Sequence, residues 1–235
     1  MVRAETAWEG TQVTPVQVAF RDECAQLATV LRTLGDADLD RPTGCPPWTV
    51  RELLAHVRTG VGRLTGMLAA PAPPRAEVDA AGYFGAAKFT PSVDADRVAG
   101  ARREAAALPD RDALVADFER AWRATDAAVR AQPPGRLVRT RHGDAMTLAD
   151  FLVTRVVEVG VHGLDLAAAL GRTPWLTPTA AEVVAGLLTG GREVPSELGW
   201  DRSTLVGRLT GRSPLTGPEQ AVLVAAGFRW LSFAG

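Results

Sequence analysis

Met146-Thr-Leu-Ala-Asp150-Phe-Leu-Val-Thr-Arg155-Val-Val-Glu158-Val-Gly-Val-His162-Gly-Leu-Asp165-Leu166 is the stretch whose reading decides the fold. Thr147 followed by Asp150 reads as a capping box. Phe151, Leu152, Val156, Val157, Val161 and Leu164 then recur at helical spacing, up to about Leu170. Gly171 is a natural C-terminal stop. Within this apolar helix Arg155, Glu158, His162 and Asp165 are spaced by three, four and three residues, which aligns them on one face. Ionisable groups on a helix that must be largely buried are costly unless they are paired or bind a metal.

Working outward, the residues on either side repeat the helical pattern. A first helix is expected from about Pro15 to Leu34, ended by Gly35, with a polar loop to Pro47. Thr49 and Glu52 form a second capping box, with Trp48 before it as a staple residue. That helix runs to about Ala70, where Pro71, Pro73 and Pro74 stop it. Residues 71 to 109 read as irregular, with one helical piece near Ala95 to Leu108. A third helix follows from about Arg111 to Ala131, and residues 135 to 146 suggest a short hairpin around Gly143. The expected architecture is mainly α: a four-helix bundle over residues 10–172, with a long crossover between its second and third helices. Residues 173–235 are expected to add a short C-terminal extension of two or three lesser helices.

The chain has 235 residues, 46% of them hydrophobic, and a formal net charge of −1. That near-neutral balance argues against nucleic acid or an acidic membrane surface as the main partner. Lys88 is the only lysine; arginine suits bidentate recognition of carboxylates, although genome composition produces the same bias. Cys24 and Cys45 cannot build a disulfide framework and neither belongs to a CxxC pair, which fits a reduced, cytoplasmic setting. Met1 to Gly10 has no apolar run and does not read as a signal peptide, and no apolar stretch is long enough to span a bilayer.

Glu158 and His162, at i and i+4, can meet on one ion, but a tight site needs a third ligand. The remaining histidines are His56, in the second helix, and His142, in the loop before the fourth. Two histidines and a glutamate with an open fourth position form a catalytic zinc arrangement, in which the open position takes water or a thiolate. Arg155 and Asp165 would then orient the ligands or bind substrate. The same residues also suit a solvated Glu/His pair, a hydrogen-bonded core histidine at position 56 and a plain Arg155–Glu158 ion pair.

Trp48-Thr-Val-Arg-Glu52-Leu-Leu-Ala-His56 and the Met146–Leu166 stretch resemble paired motifs of the mycothiol-dependent maleylpyruvate isomerase family, one of the DinB-like helical bundles. The resemblance covers most of residues 10 to 172. It implies a divalent metal, zinc first, held by His56, Glu158 and His162, with His142 outside the triad. It also implies mycothiol as a thiol cosubstrate, whose zinc-bound thiolate attacks a small electrophilic substrate, expected to be unsaturated and carboxylate-bearing. Leu205-Val-Gly-Arg208-Leu-Thr-Gly-Arg212 resembles a family element near the active site. Arg208 and Arg212 become candidates to grip a substrate carboxylate, against the alternative of two surface arginines. Neither cysteine is required as nucleophile, since both lie away from the triad motifs. The implied reading is a mycothiol-dependent isomerase or S-transferase, monomeric or homodimeric. A zinc hydrolase with Asp165 as base, and a recruited bundle that only binds, are the alternatives.

Overall fold

The computed structural model describes residues 13–85 and 90–231, so the readings made on Met1–Gly10 and Lys88 lie outside it. Hydroxyl and carboxylate N-caps open the long helices. Thr14 caps α1 (Pro15–Leu31), Thr49 caps α3 (Val50–Ala69), Asp110 caps α5 (Arg111–Arg130) and Thr147 caps α6 (Leu148–Leu170). Each side chain accepts a backbone N–H that the first helical turn leaves unpaired. At α3 the bond is reciprocated, with Thr49 N donating to Glu52 Oε2 at 2.9 Å. At α6 it is not: Thr147 ends a hairpin strand, and its hydroxyl, not its amide, donates to Asp150 Oδ2 at 2.6 Å. Gly171 closes α6 in the left-handed conformation, φ 65°.

These four helices form a ring in which α1 packs on α5, α5 on α3, α3 on α6 and α6 back on α1. Phe20, Leu27 and Leu31 meet Leu53, Val57, Leu64, Phe118, Leu152 and Val156 in one buried core. The connection from α3 to α5 runs along the bundle as expected. It carries a 3₁₀ turn at Gly82–Phe84 and then α4 (Pro91–Ala106), which packs on α3. Helix α4 begins earlier than the sequence suggested because Pro91 sits at its first turn, where its fixed φ and missing N–H cost nothing. The first helix ends at Leu31, and the expected loop contains α2 (Asp36–Leu39). Asp38 Oδ2 accepts Gly35 N at 3.0 Å, so the glycine read as a stop serves as the start of that turn.

The hairpin is present as β1 (Leu137–Arg139) and β2 (Ala145–Thr147), antiparallel, with Val138 opposite Met146. It also anchors the crossover: Ala145 O accepts from Glu77 N at 2.7 Å, and Ala145 N donates to Glu77 Oε2 at 2.9 Å. Beyond α6, the helices α7 (Pro178–Thr189), α8 (Arg202–Leu209) and α9 (Gly217–Ala225) follow. Helix α7 packs on both α1 and α6, and Val184, Leu188, Leu205 and Leu209 join the same buried core as the bundle. The approach of the chain before α7 requires a missing side chain, since a Cβ at Gly160 would lie 2.8 Å from Leu176 Cδ1. Among the described residues no helix is long and apolar enough to cross a membrane.

One carboxyl joins the extension to the bundle. Glu23 of α1 is fully buried, and its Oε2 accepts from both the amide (2.8 Å) and the hydroxyl (2.7 Å) of Thr177, the N-cap of α7. Burial outweighs these bonds and pushes the Glu23 pKa up to about 7 from the ordinary 4.5. A raised acid pKa means that the fold prefers the protonated form. The resulting stability is complete below the unfolded pKa and is lost as pH rises through the folded one. Glu23→Gln, which is neutral at every pH, should therefore gain on the parent between pH 5 and pH 8, by up to about 3 kcal/mol. Thermal or urea unfolding of both proteins across that range measures the difference, and a pH-independent gap would contradict the assignment.

Candidate metal centre

Helices α3 and α6 bring the two sequence motifs face to face. His56 Nε2 lies 2.6 Å from Glu158 Oε1, and His162 Nε2 lies 3.5 Å from the same oxygen. One ligand atom from each of His56, Glu158 and His162 falls within 4.8 Å of the others. Glu158 Oε1 is buried and accepts no properly aligned hydrogen bond, in spite of its two close nitrogens. One carboxylate oxygen and two imidazole nitrogens brought this close form a donor set suited to a divalent cation. Burial alone would raise the Glu158 pKa, but His56 and His162 outweigh it and hold the carboxyl well below the usual range. Burial also lowers the His56 pKa, more than Glu158 raises it, so this ring favours the neutral form that can ligate.

Each histidine is oriented from behind. Trp48 is buried and stacks on the His56 ring, with centroids 4.6 Å apart and planes at 28°. The residue read as a helix staple thus packs against a candidate ligand. His162 Nδ1 lies 3.0 Å from Asp165 Oδ2. Burial would lower the His162 pKa, but Asp165, Cys45 and Glu158 outweigh it and hold the ring well above the usual range, so binding a cation at Nε2, on the Glu158 side, would release a proton. Asp165 is itself gripped in bidentate fashion by Arg212, whose Nε reaches Oδ1 and whose Nη2 reaches Oδ2, each at 3.0 Å. Cys45 Sγ donates to Asp165 Oδ2 at 3.2 Å. The expectation that both cysteines lie away from the site is corrected for Cys45: the loop before α3 folds over the end of the α6 stripe, and the sulfur meets the Nδ1 side of His162. Cys24 is buried in the bundle core.

Arg155 lies beneath the ligands, only 4% exposed, with its guanidinium carbon 4.8 Å from the Phe151 ring centroid and 5.8 Å from that of Tyr83. Its Nη2 is 4.0 Å from Glu158 Oε2. This placement depends on Gly60 of α3, because a Cβ there would stand 2.7 Å from Arg155 Nη1 and 3.5 Å from Glu158 Cγ.

A cavity of about 300 Å³ opens over the cluster, and both His142 and Arg212 line it. Arg208 does not; it pairs with Glu219 at 3.3 Å within the extension. Sequence reasoning missed Trp48 as a ring partner, Tyr83, Cys45 and three lining arginines, Arg63, Arg97 and Arg141. For Arg63 a signal existed, since His56, Gly60 and Arg63 follow one another at helical spacing on α3. Tyr83 and Arg141 stand in segments without periodicity.

The family model of the mycothiol maleylpyruvate isomerase N-terminal domain matches residues 20–167. No curated protein matches the sequence. Among solved structures, the mycothiol-dependent maleylpyruvate isomerase superposes with a TM-score of 0.52 at 17% identity, covering 76% of this chain and 70% of that one. A point mutant of the same enzyme gives a TM-score of 0.49 at 16% identity over the same shares. At such identity the structural likeness speaks to the helical fold, while the family model spans both motifs that supply the cluster. The chain belongs to the mycothiol maleylpyruvate isomerase N-terminal domain family.

Proposed function

We propose that this protein is a zinc-dependent enzyme that uses mycothiol as cosubstrate and acts on a small, unsaturated, carboxylate-bearing electrophile, as an isomerase or S-transferase. His56, Glu158 and His162 would hold the divalent ion. The observation that carries the reading is Glu158 Oε1, buried, without a hydrogen bond, and facing two imidazole nitrogens. Zinc would supply the stabilisation of a thiolate at neutral pH.

The chain's own residues do the rest. Asp165 holds His162 in one tautomer, and Trp48 holds the plane of the His56 ring. Arg155, at the cavity floor, offers positive charge to an anionic substrate or to negative charge that develops on it. A hydrolase would need a free base, and both Asp165 oxygens are engaged by His162, Cys45 and Arg212, which speaks for the thiol reading. We assign the protein to the cytoplasm, where low-molecular-weight thiols stay reduced, as a monomer or homodimer.

The parent chain should bind one zinc. His56→Ala should lose that stoichiometric binding, by at least about 100-fold in affinity, with helix content retained by circular dichroism. Asp165→Asn should keep the ligands but weaken zinc by about 10- to 100-fold, because the Nδ1 partner no longer carries charge. Titration with a chromophoric chelator measures both, and unchanged affinity in His56→Ala would refute the site.

Turnover should require mycothiol when the zinc-loaded protein is given maleylpyruvate or a related unsaturated acid, with isomerisation or adduct followed optically. It should disappear in His162→Ala. It should persist in Cys24→Ala and in Cys45→Ala, since Cys45 lies on the Nδ1 side of His162 and the nucleophile belongs to the cosubstrate. Equal turnover without thiol would favour a metal-hydroxide hydrolase. No turnover over a broad panel of electrophiles, with metal bound, would leave a binding module.

A further inference from the structure

A thiolate that adds across a carbon–carbon double bond leaves an electron pair on the neighbouring carbon. An isomerase returns that pair to the double bond as the thiol departs, whereas an S-transferase must place a proton on the carbon. Few groups lining the cavity can supply one. His56, Glu158 and His162 are the candidate metal ligands, and arginine, indole and aliphatic hydroxyl groups hold their protons. Tyr83 and His142 remain. His142 Nε2 accepts from Arg141 Nε at 3.1 Å, so the neutral ring carries its proton on Nδ1.

Tyr83 is the only tyrosine of the chain. Its backbone is pinned although it belongs to the crossover. Asp79 Oδ1 accepts from Gly82 N at 2.7 Å, and Asp79 O accepts from Tyr83 N at 3.0 Å. Its half-buried ring meets Phe84, Phe151 and His142 edge to face, with centroids 5.4, 6.0 and 6.1 Å away. The hydroxyl oxygen accepts from Arg155 Nη2 at 3.5 Å, and the same nitrogen lies 4.0 Å from Glu158 Oε2. One guanidinium nitrogen therefore bridges the phenol and the His–Glu–His cluster. A buried cation so placed compensates a phenolate left behind when the proton is given away.

We propose that Tyr83 is a catalytic residue whose hydroxyl protonates the substrate carbon beside the new carbon–sulfur bond, which makes the protein an S-transferase. This rests on the thiol reading of the same cavity and decides between its two outcomes. The sulfur pair forms the carbon–sulfur bond as the π pair moves to the adjacent carbon. That pair takes the Tyr83 proton, the O–H bond breaks, and phenolate remains beside Arg155. Water returns a proton to the phenolate, which balances the one that the thiol lost on ionising.

The test follows mycothiol and maleylpyruvate with the zinc-loaded full chain in deuterium oxide, by nuclear magnetic resonance. The parent should form an adduct with one deuterium beside the carbon–sulfur bond, in a single configuration. Tyr83→Phe should slow adduct formation at least about 100-fold, with zinc content and melting temperature at parent values. Its residual adduct should carry deuterium in both configurations, and isomerisation, which needs no proton on carbon, should gain on addition. His142→Gln should keep the single configuration. A binding readout needs neither thiol nor turnover. The nitronate of 3-nitropropionate mimics the carbanion, and Tyr83→Phe should bind it about tenfold more weakly than the parent does, with the uncharged nitro form unaffected. The proposal is overturned if Tyr83→Phe forms adduct at the parent rate or in one configuration, if both proteins bind the nitronate alike, or if His142→Gln is the variant that loses the configuration. A parent that consumes thiol only to isomerise also overturns it and leaves the thiol reading in place. A parent whose turnover ignores thiol removes both.

Discussion

The carboxylate of Asp165 is the interaction on which the site depends. Its two oxygens meet His162 Nδ1, the Cys45 thiol and two nitrogens of Arg212, so groups from α6, the loop before α3 and the segment after α8 converge on one buried charge. Such an ion cannot be left half-satisfied: removing one partner of a buried charge pair costs several kcal/mol, commonly about 3–5. The consequence reaches the imidazole, because a charged acceptor at Nδ1 decides which nitrogen remains available on the cavity side. The extension is therefore joined to the chemistry by Arg212 and to the bundle by the Glu23–Thr177 contact, at two ends of α7 and α8 packing.

The three candidate ligands are held by helices, not loops. His56 is on α3, and Glu158 and His162 are on α6, two neighbours in the ring whose separation is set by Val57, Val61, Val156 and other buried apolar side chains. Close packing of this kind resists sub-ångström displacement better than surface segments do. What varies around the ligands comes from less regular chain: Tyr83 from the crossover, Arg141 and His142 from the hairpin turn. The molecule thus separates a rigid floor from walls that can differ without moving the ligand atoms.

Most of the fold was legible because its signals are local. Capping at Thr49 and Thr147, the prolines after Ala70 and Gly171 after Leu170 place the bundle helices to within a few residues. Pro91 misled in the opposite sense, because proline both ends helices and begins them, and only the chain's path shows which. The triad was legible from spacing and a resemblance, and the three residues do converge. The Asp165–Arg212 clamp and the approach of Cys45 were not, since residues 47 and 120 positions apart meet only through the packing of the extension and of a loop. The arginines were visible as composition but not as a cluster, except that Arg63 lies two turns beyond His56 on the same α3 face.

Gly60 has a bearing on how such a pocket can diversify. A methyl group at that position would strike the Arg155 guanidinium before it reached any ligand atom, since its 2.7 Å approach to Nη1 is much tighter than the 3.5 Å approach to Glu158 Cγ. One alanine on α3 would thus displace a cation from the cavity floor without altering His56, Glu158 or His162. In an evolving lineage this makes a helix–helix contact a dial for the charge of the cavity floor: bundles with and without glycine here could keep the same His–Glu–His cluster beneath differently charged pockets.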